Sequence, residues 1–347
     1  MRAIVYDGPG SVALREAPEP RLADPEDVLV QVTLAGICGT DLHVIAGDFP
    51  GLDRGAVVGH EFVGDIVAVG SGVRWLAVGD HVMSSDFTAC GHCRWCGRGD
   101  HWECSDRAFF GTGTSFGPAL SGAQGEIVRV PHAETTLARV PKGCSDEAAI
   151  LIGDNLATGW AAIERGGVSP GDIVAVIGGG AVGQLTSLSA QVAGASAVIV
   201  VEPIESRRNF ARANGALAAT PQEAPGLIAG LTDGDGVDVV IEAVGSPGAL
   251  RGAFDLVRKR GRIVSVGAHA TEDWPMPLAK SFAGELTLSF AIGDSIRLRP
   301  RLCALIATGV LAPTVVIDAR IGFSEAVDAY RNLKAQKIMK AVIDPHR

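Results

Sequence analysis

The sequence has few aromatic residues, no excess of basic charge and no long hydrophobic run. Aromatic side chains make up 5% of its 347 residues, and its formal net charge of −9 argues against a nucleic-acid partner, which needs a basic face. Apolar runs such as Ala195–Val201 are far shorter than the ~20 residues of a membrane-spanning helix. Residues 1–7 hold no apolar signal core before the first acidic residue, so we expect a cytoplasmic protein with no membrane partner.

The pattern of apolar residues changes near Asp154. Before it, short stretches alternate at period two between long loops, which predicts β-strands; after it, apolar strands alternate with helices, which predicts a parallel sheet covered on both faces. The chain is long enough for about two domains, and the predicted fold class is α/β. The predicted strands are Val28–Leu34, Glu61–Val69 and Asp80–Met83 in the first part, and Ile173–Ile177, Ala197–Val201, Val237–Ile241 and Arg262–Val266 in the second.

Four of the seven cysteines fall in one short segment, at Cys90, Cys93, Cys96 and Cys104. Thiolates three residues apart on a tight turn can point at one ion, and four sulfurs complete the tetrahedral shell of a structural zinc site. Disulfides and an iron–sulfur cluster are alternative interpretations of the same spacing. A closed shell leaves no open position for a substrate, so the segment predicts a metal site without predicting a reaction.

A glycine-rich turn joins a predicted apolar strand to a predicted helix at Gly178–Gly183. In this GxGxxG pattern Gly178 permits the tight turn, Gly180 lets the backbone approach a pyrophosphate, and Gly183 allows close packing of helix and strand. The helix N-terminus then offers N–H groups and positive potential to the phosphates. The turn therefore predicts a dinucleotide-binding fold.

Glu202 ends the next predicted strand after the glycine turn. An acidic side chain at this place accepts hydrogen bonds from ribose hydroxyls and repels a 2′-phosphate, which favours NAD over NADP. Two arginines favour NADP instead, because the side chain of either Arg207 or Arg208 could reach that phosphate.

Three further residues that can bind a metal lie far apart in the chain: Cys38, His60 and Asp154. Taken singly, they have ordinary interpretations as a buried thiol, a turn histidine and a surface carboxylate. Polar residues crowd around the first two, namely Thr40, Asp41, His43 and Glu61. Three ligands of cysteine, histidine and carboxylate type, with one open position, describe a catalytic zinc site.

Taken together, these segments resemble the zinc-dependent medium-chain alcohol dehydrogenase family. The resemblance spans essentially the whole chain in the family's order and rests on Ala35–His43 (AGICGTDLH), Gly59–Gly64 (GHEFVG), Val78–Asp80 (VGD), the cysteine segment 90–104 and the turn 178–183. It implies a GroES-like β-rich catalytic domain over residues 1–153 and 294–347, with a structural zinc lobe at 88–106. Residues 154–293 would form a Rossmann NAD-binding domain.

The resemblance also implies roles at the matching positions of the catalytic domain. Cys38, His60 and Asp154 would bind a catalytic zinc, and Glu61 is similar to a second-layer or exchangeable ligand in relatives. Asp41 would orient the imidazole of His60. Two further residues would handle the proton: Thr40 would hydrogen-bond the substrate oxygen, and His43 would pass the proton to solvent by way of the cofactor ribose.

For the cofactor, the resemblance implies contacts in addition to the glycine turn, Glu202 and Arg207. Val182 would back the nicotinamide ring. Thr158 follows Asp154 by four residues, as in the family pattern, and would lie at the cofactor. Lys340 matches a basic pyrophosphate contact.

The implied activity is hydride transfer between a secondary alcohol or polyol and NAD⁺, with the reverse carbonyl reduction and two zinc ions per chain. Two other functions stay open: an NADP-dependent carbonyl reductase of the same fold, and a non-catalytic nucleotide-binding protein. The family joins edge strands across a twofold axis, so a strand at Leu286–Ile292 implies a homodimer or homotetramer.

A few positions depart from the family pattern or carry no assigned role. Residues 122–127 (GAQGEI) keep Glu126 but lack the aromatic residues common there. Cys144 and Cys303 look like isolated small residues rather than metal ligands. Three aromatic residues are pocket-wall candidates by position only: Phe49, Trp102 and Phe110.

Overall fold

The computed structural model describes residues 1–271 and 273–347, which fold into two compact units. Unit 1 comprises Met1–Asp154 and Asp294–Arg347, and unit 2 comprises Asn155–Gly293. Unit 1 is therefore discontinuous in sequence, because unit 2 is inserted between its two segments. Within the described residues, no helix combines the length and the apolar character needed to cross a bilayer.

The elements follow in chain order. Unit 1 begins with β1 (Arg2–Gly8), β2 (Ser11–Glu16), β3 (Val28–Ile37), α1 (Gly39–Ala46), β4 (Phe62–Val69), β5 (His81–Ser84), β6 (Ile127–Val130), α2 (Ala133–Thr136), β7 (Leu137–Arg139) and α3 (Asp146–Gly153). Unit 2 follows with α4 (Asn155–Gly166), β8 (Ile173–Ile177), α5 (Ala181–Val192), β9 (Ala197–Val201), α6 (Glu205–Ala213), β10 (Leu217–Ala219), α7 (Ala224–Leu231), β11 (Val237–Glu242), α8 (Pro247–Leu256), β12 (Val257–Ser265), α9 (Leu278–Ala283) and β13 (Thr287–Phe290). Unit 1 is completed by α10 (Ser295–Ala307), β14 (Ala319–Gly322), α11 (Ala326–Lys334) and β15 (Ala341–Asp344).

Unit 1 is built around a sheet in the strand order β14-β15-β3-β4-β5-β7, with β6 also paired to β3. In β3 the side chains of Val28, Val30 and Val32 are buried while Gln31 between them is exposed, as expected for a strand with one face on the core. β15 runs antiparallel to β3 and pairs Ile343 with Ala35. The last strand of the chain thus lies beside the strand that leads to Cys38.

Unit 2 is a parallel sheet in the order β10-β9-β8-β11-β12-β13. Both faces are apolar: Val174 and Val176 of β8 pack with α4, α5 and α6, whereas Ala175 and Ile177 pack with α7 and α8. This order is that of a doubly wound nucleotide-binding fold, whose switch point lies at the carboxyl end of β8. The α/β class predicted from the sequence is confirmed.

Two helices in the first segment of unit 1 were not predicted from the sequence, and both bear on the site. Cys38 is the N-cap of α1, its N–H donates to the Asp41 carboxylate at 2.9 Å, and Gly47 ends the helix at φ 88°. α3 begins after Ser145, whose hydroxyl accepts from the N–H of Ala148 at 3.2 Å. Both helices are eight residues long, so their apolar periodicity is too short to stand out from the surrounding loops.

Candidate functional site

The four cysteines of segment 90–104 lie together in space. The sulfur atoms of Cys90, Cys93, Cys96 and Cys104 all lie within 4.8 Å of one another. Short 3₁₀ turns at Cys96–Arg98 and His101–Glu103 bend the chain around them, and the N–H of Cys90 donates to the Cys104 sulfur at 3.2 Å. No disulfide joins cysteines in the described part of the chain. Four thiols at this spacing fit a tetrahedral zinc shell.

The pKa shifts of these thiols also favour a metal site. Hydrogen bonds from backbone N–H groups, first that of Cys96, lower the pKa of Cys93 to about 6. Burial raises the pKa of Cys96 and Cys104 instead. Two buried thiols beside a thiolate form a cluster that a divalent cation can deprotonate and bind.

A second cluster brings together residues that are distant in sequence. Ligand atoms of Cys38, His60, Glu61 and Asp154 lie within 4.8 Å of one another. The Asp154 Oδ2 atom lies 3.3 Å from the Cys38 sulfur and 3.3 Å from His60 Nε2. Cys38 is held by the start of α1, His60 and Glu61 by the turn before β4, and Asp154 by the end of α3. The trio that the sequence analysis singled out therefore forms one site within unit 1.

The charges of this second cluster are balanced by protons. Burial and then the negative charge of Asp154 raise the pKa of the Cys38 thiol. Burial opposes a charged imidazole, yet Asp41 and Asp154 raise the pKa of His60 well above its usual range. Burial also opposes ionisation of Asp154, but the hydrogen bond with His60 lowers its pKa. A metal cation bound here would take the place of the protons on Cys38 and His60.

Asp41 lies behind the second cluster, in a buried polar network. Its Oδ1 atom lies 3.0 Å from His60 Nδ1, and its Oδ2 accepts the N–H of Cys38. The side chains of Tyr330 and Gln124 close the network: the Tyr330 hydroxyl lies 3.3 Å from Asp41 and 2.9 Å from the Gln124 carbonyl oxygen. Gln124 in turn donates to the carbonyl oxygen of Gly36 at 2.7 Å.

Sequence analysis missed both Tyr330 and Gln124. The one available signal was the departure at residues 122–127, where Gln124 stands in a stretch that is aromatic in the family. Its amide makes hydrogen bonds that an aromatic ring cannot make, which accounts for the polar residue at a position with 0% exposure. Tyr330 reaches the same place from α11, more than two hundred residues later.

Lys340 pairs with a buried carboxylate of the second cluster. Its side chain is 1% exposed and its ammonium group forms an ion pair with Glu61 Oε2 inside unit 1. Burial raises the pKa of Glu61 to about 7, although Lys340 opposes the shift. The ammonium group is thus the buried partner of Glu61, and its role as a pyrophosphate contact stays a prediction.

Thr40 and His43 lie three residues apart on α1 and therefore on the same face of that helix. His43 Nδ1 is 2.7 Å from Asp48 Oδ2, and both side chains are partly exposed. A carboxylate on Nδ1 places the proton there in the neutral ring and leaves Nε2 as the acceptor.

A row of aromatic rings leads from His60 to His43. Phe109 lies 5.2 Å from the His60 ring, and Phe116, Phe49 and then His43 follow at centroid distances of 5.6, 5.1 and 6.1 Å. Trp102 also belongs to this row, at 5.8 Å from Phe109. Phe110 does not, because it is fully buried against Phe62. Two of the three aromatic candidates from the sequence, Phe49 and Trp102, thus belong to this row, and Phe109 and Phe116 were not predicted.

Asp86 is a further residue that the sequence analysis did not notice. Its carboxyl group is buried, and burial followed by the charge of Asp154 raises its pKa well above the usual range. The Ser85 hydroxyl lies 3.3 Å from its Oδ1 atom. Burial near the second cluster therefore opposes ionisation of this carboxyl group, whose Oδ1 accepts the Ser85 hydroxyl.

In unit 2 the glycine turn has the geometry that the pattern predicts. Gly178 adopts φ 101°, and a Cβ at Gly183 would lie 1.9 Å from the Gly178 carbonyl oxygen. Gly180 is the N-cap of α5, and Val182 lies in the first turn of that helix. Thr158 lies on α4. Its hydroxyl group is close to Gly293, because a Cβ added at Gly293 would lie 2.6 Å from the Thr158 hydroxyl oxygen.

Glu202 lies beside the glycine turn. Its side chain accepts the N–H of Gly179 at 2.7 Å and that of Ile204 at 2.9 Å, and the residue is 4% exposed. Arg207 lies on α6, with a guanidinium nitrogen 4.0 Å from where a Cβ of Gly180 would lie. An acidic and a basic side chain thus flank the same turn.

Two family models match the chain. A model described as alcohol dehydrogenase GroES-like domain covers residues 24–142, and one described as zinc-binding dehydrogenase covers residues 181–307. A probable zinc-binding alcohol dehydrogenase of Mycobacterium tuberculosis is 39% identical over 97% of this chain and 86% of its own length. The solved alcohol dehydrogenase TADH from Thermus sp. ATN1 is 37% identical, with a TM-score of 0.93 and 99% of both chains covered.

Two other solved structures that are similar to the chain carry nicotinamide cofactors. A putative zinc-binding dehydrogenase from Sinorhizobium meliloti 1021 is bound to NADP; it is 28% identical, with a TM-score of 0.84 and 99% of both chains covered. An alcohol dehydrogenase from E. coli CFT073 is complexed with NADH; it is 26% identical, with a TM-score of 0.85 and 99% of both chains covered.

Proposed function

The chain belongs to the zinc-dependent medium-chain alcohol dehydrogenases, and from its zinc-dependent alcohol oxidoreductase activity we propose that it transfers hydride between a secondary alcohol or polyol and NAD⁺. The enzyme acts on a small molecule and uses a nicotinamide cofactor. The observation that carries the proposal is the convergence of Cys38, His60 and Asp154, whose ligand atoms lie within 4.8 Å of one another.

The proposal includes two zinc ions per chain. The four cysteines would hold one in a closed shell, and Cys38, His60 and Asp154 would hold the other with a position left for the substrate oxygen. Zinc at the second site would supply Lewis acidity towards that oxygen. Glu61 would stay behind the three ligands, where Lys340 holds its carboxylate.

The proton route uses residues of α1. The Thr40 hydroxyl would accept the proton of the alcohol, and His43 would take it up at Nε2. Asp48 supports this assignment, because its contact with Nδ1 leaves Nε2 free of a proton in the neutral ring. The partial exposure of His43 lets the proton continue to water.

For the metal sites, the test is zinc analysis of the purified chain together with NAD⁺-linked activity. Wild type should hold two zinc ions, whereas Cys38→Ser and His60→Ala should each keep one and lose activity. Cys144→Ser is the matched control: it removes a thiol outside both clusters and should keep both ions and the activity. A fully active wild type with a single zinc per chain would overturn the assignment.

NAD rather than NADP is proposed as the cofactor. The support is Glu202, whose carboxylate is fixed beside the glycine turn, where a 2′-phosphate would meet its negative charge. Arg207 is the residue that favours the alternative, an NADP-dependent carbonyl reductase. Fluorescence titration should give tighter binding of NADH than of NADPH. Glu202→Ala should reduce this difference in affinity, whereas Arg207→Ala should leave it unchanged or increase it. Tighter binding of NADPH by wild type would support the alternative.

The substrate class and the oligomer need separate experiments. A panel of secondary alcohols and polyols with NAD⁺, followed by the absorbance of the reduced nicotinamide, would identify the preferred class. A homodimer or homotetramer through the edge strand β13 is proposed because Phe290 on that strand is 57% exposed and Phe282 on the preceding helix α9 is 89% exposed. Light scattering should find an oligomer that Phe290→Asp weakens, and a monomeric wild type would contradict the proposal.

A further inference from the structure

The glycine turn of unit 2 is held by a side chain that the sequence analysis did not single out. Gln184 lies on α5, one helical turn after Gly180, and is 2% exposed. Its side-chain amide donates to the carbonyl oxygen of Gly179 at 3.1 Å and to that of Arg207 at 3.0 Å. Both N–H donors of the amide are therefore used, and both acceptors belong to the backbone.

The peptide groups of Gly179 are thereby fixed on both sides. The Glu202 carboxylate accepts its N–H at 2.7 Å, and Gln184 donates to its carbonyl oxygen. A Cβ at residue 179 would lie 2.9 Å from Glu202 Cγ, so a residue with a side chain would displace Glu202 from the turn. Gln184 and Glu202 are therefore linked through a single residue of the turn.

The second hydrogen bond of Gln184 fixes α6 against the same turn. This helix carries Arg207, whose guanidinium lies 4.0 Å from where a Cβ of Gly180 would lie. The start of α6 is held separately, because Arg208 donates to the carbonyl oxygen of Glu202 at 2.9 Å. Gln184 instead binds the backbone of Arg207 itself. The amide thus sets how closely the helix with the basic side chain approaches the turn.

A second glutamine repeats this hydrogen bond farther from the turn. Gln191, also on α5, donates to the carbonyl oxygen of Asn214 at the end of α6 at 3.1 Å. The bonds from Gln184 and Gln191 to α6 each span 23 residues of sequence, so the second repeats the first about two helical turns later. Two bonds of the same chemistry join the same two helices, and the bond of Gln184 is the one at the glycine turn.

We propose that Gln184 is a positioning residue that sets the preference between NAD and NADP. It holds the glycine turn so that the Glu202 carboxylate faces the adenosine ribose, and it holds α6 so that Arg207 stays back from the place of a 2′-phosphate. The preference then depends on the spacing of Glu202 and Arg207 about the turn as well as on their charges. The inference rests on the proposed binding of NAD at this turn.

The test compares the affinities of the zinc-loaded full chain for NADH and NADPH by fluorescence titration. Gln184→Met keeps most of the side-chain volume but removes both N–H donors. The ratio of the dissociation constant for NADPH to that for NADH should fall by about fivefold, which corresponds to the loss of one hydrogen bond. Gln191→Met is the matched control, because it removes the equivalent bond between α5 and α6 and should leave the ratio unchanged.

Two further measurements complete the test. Gln184→Asn keeps the donors on a shorter side chain, so it should shift the ratio in the same direction by less, and it serves if Gln184→Met fails to fold. AMP and adenosine 2′,5′-bisphosphate lack the nicotinamide and should show the same change, which assigns the effect to the adenosine end of the cofactor.

The outcomes separate this inference from the proposed function. A ratio that Gln184→Met leaves unchanged, or that Gln191→Met lowers equally, would overturn the positioning role of Gln184. Tighter binding of NADPH by wild type would instead overturn the proposed use of NAD. The effect of Gln184 is measured relative to wild type, so it can be determined whichever cofactor wild type prefers.

Discussion

Replacing Lys340 by methionine should destabilise unit 1 strongly. Lys340 and Glu61 are 1% and 0% exposed and form an ion pair. Methionine keeps most of the side-chain volume but leaves the Glu61 carboxylate buried without its cation. Loss of one member of a buried pair costs about 3–5 kcal/mol, because the remaining charge is uncompensated.

This loss of unfolding free energy can be converted into an expected decrease in melting temperature. For a folding unit of this size, 1 kcal/mol shifts the midpoint by about 2–4 °C. Lys340→Met should therefore lower the midpoint by roughly 10 °C, measured by calorimetry on the zinc-loaded chain. Lys337→Met is the matched control, because Lys337 is exposed three residues earlier in the same segment, and it should shift the midpoint by less than about 2 °C.

A double-mutant cycle measures the interaction energy between Lys340 and Glu61 separately from the effect of each single substitution. Glu61→Gln leaves the ammonium group unpaired and should also destabilise the protein. The double variant should cost at least about 2 kcal/mol less than the sum of the singles, because neither charge is then left alone. Strict additivity would refute the ion-pair argument. A normal midpoint for Lys340→Met combined with weakened NADH binding would support the pyrophosphate role that the family resemblance implies.

Three further predictions concern the support of the site and the surface of unit 1. Tyr330→Phe removes a hydroxyl that contacts Asp41, so it should cost about 1–2 kcal/mol in denaturant unfolding and shift the visible bands of the cobalt-substituted protein; unchanged bands would contradict its positioning role. Gly36→Ala places a Cβ 1.8 Å from Glu61 Oε2, so it should lower the zinc content, whereas Gly39→Ala, which meets nothing within 4 Å, should keep it. Burial opposes the charge on His81, but hydrogen bonds to Asp146 and Asp65 raise its pKa, so its stabilisation is present below pH 6.5 and is lost as pH rises through the folded value. His81→Gln should thus lower the melting temperature more at pH 6 than at pH 9, and equal losses would contradict this account.

The sequence predicted well those parts of the site whose residues all lie within one short segment of the chain. Cys90–Cys104 and Gly178–Gly183 each contain the residues that meet in space, separated by tight turns. The parallel sheet was also predictable, because the strands β8, β9, β11 and β12 are apolar on both faces and each is followed by a helix.

The second cluster needed the family resemblance, because Cys38, His60 and Asp154 meet only through the fold of unit 1. Residues that support the cluster from a distance could not be found by either route. Tyr330 reaches Asp41 from α11, and Lys340 reaches Glu61 from the start of β15. For Lys340 the resemblance implied a contact with a phosphate, and it did not predict the buried ion pair with Glu61.

The discontinuity of unit 1 also bears on how the protein is made. β15 pairs with β3, so about 300 residues separate two strands that must meet. At about 5–20 residues per second, a ribosome needs roughly 15–60 s to make that interval, during which residues 35–37 of β3 lack the strand that pairs with them. Unit 2 has all of its residues in one stretch and can fold while this occurs. The buried partner of Glu61 arrives with the same late segment, so the metal-binding half of the enzyme matures last.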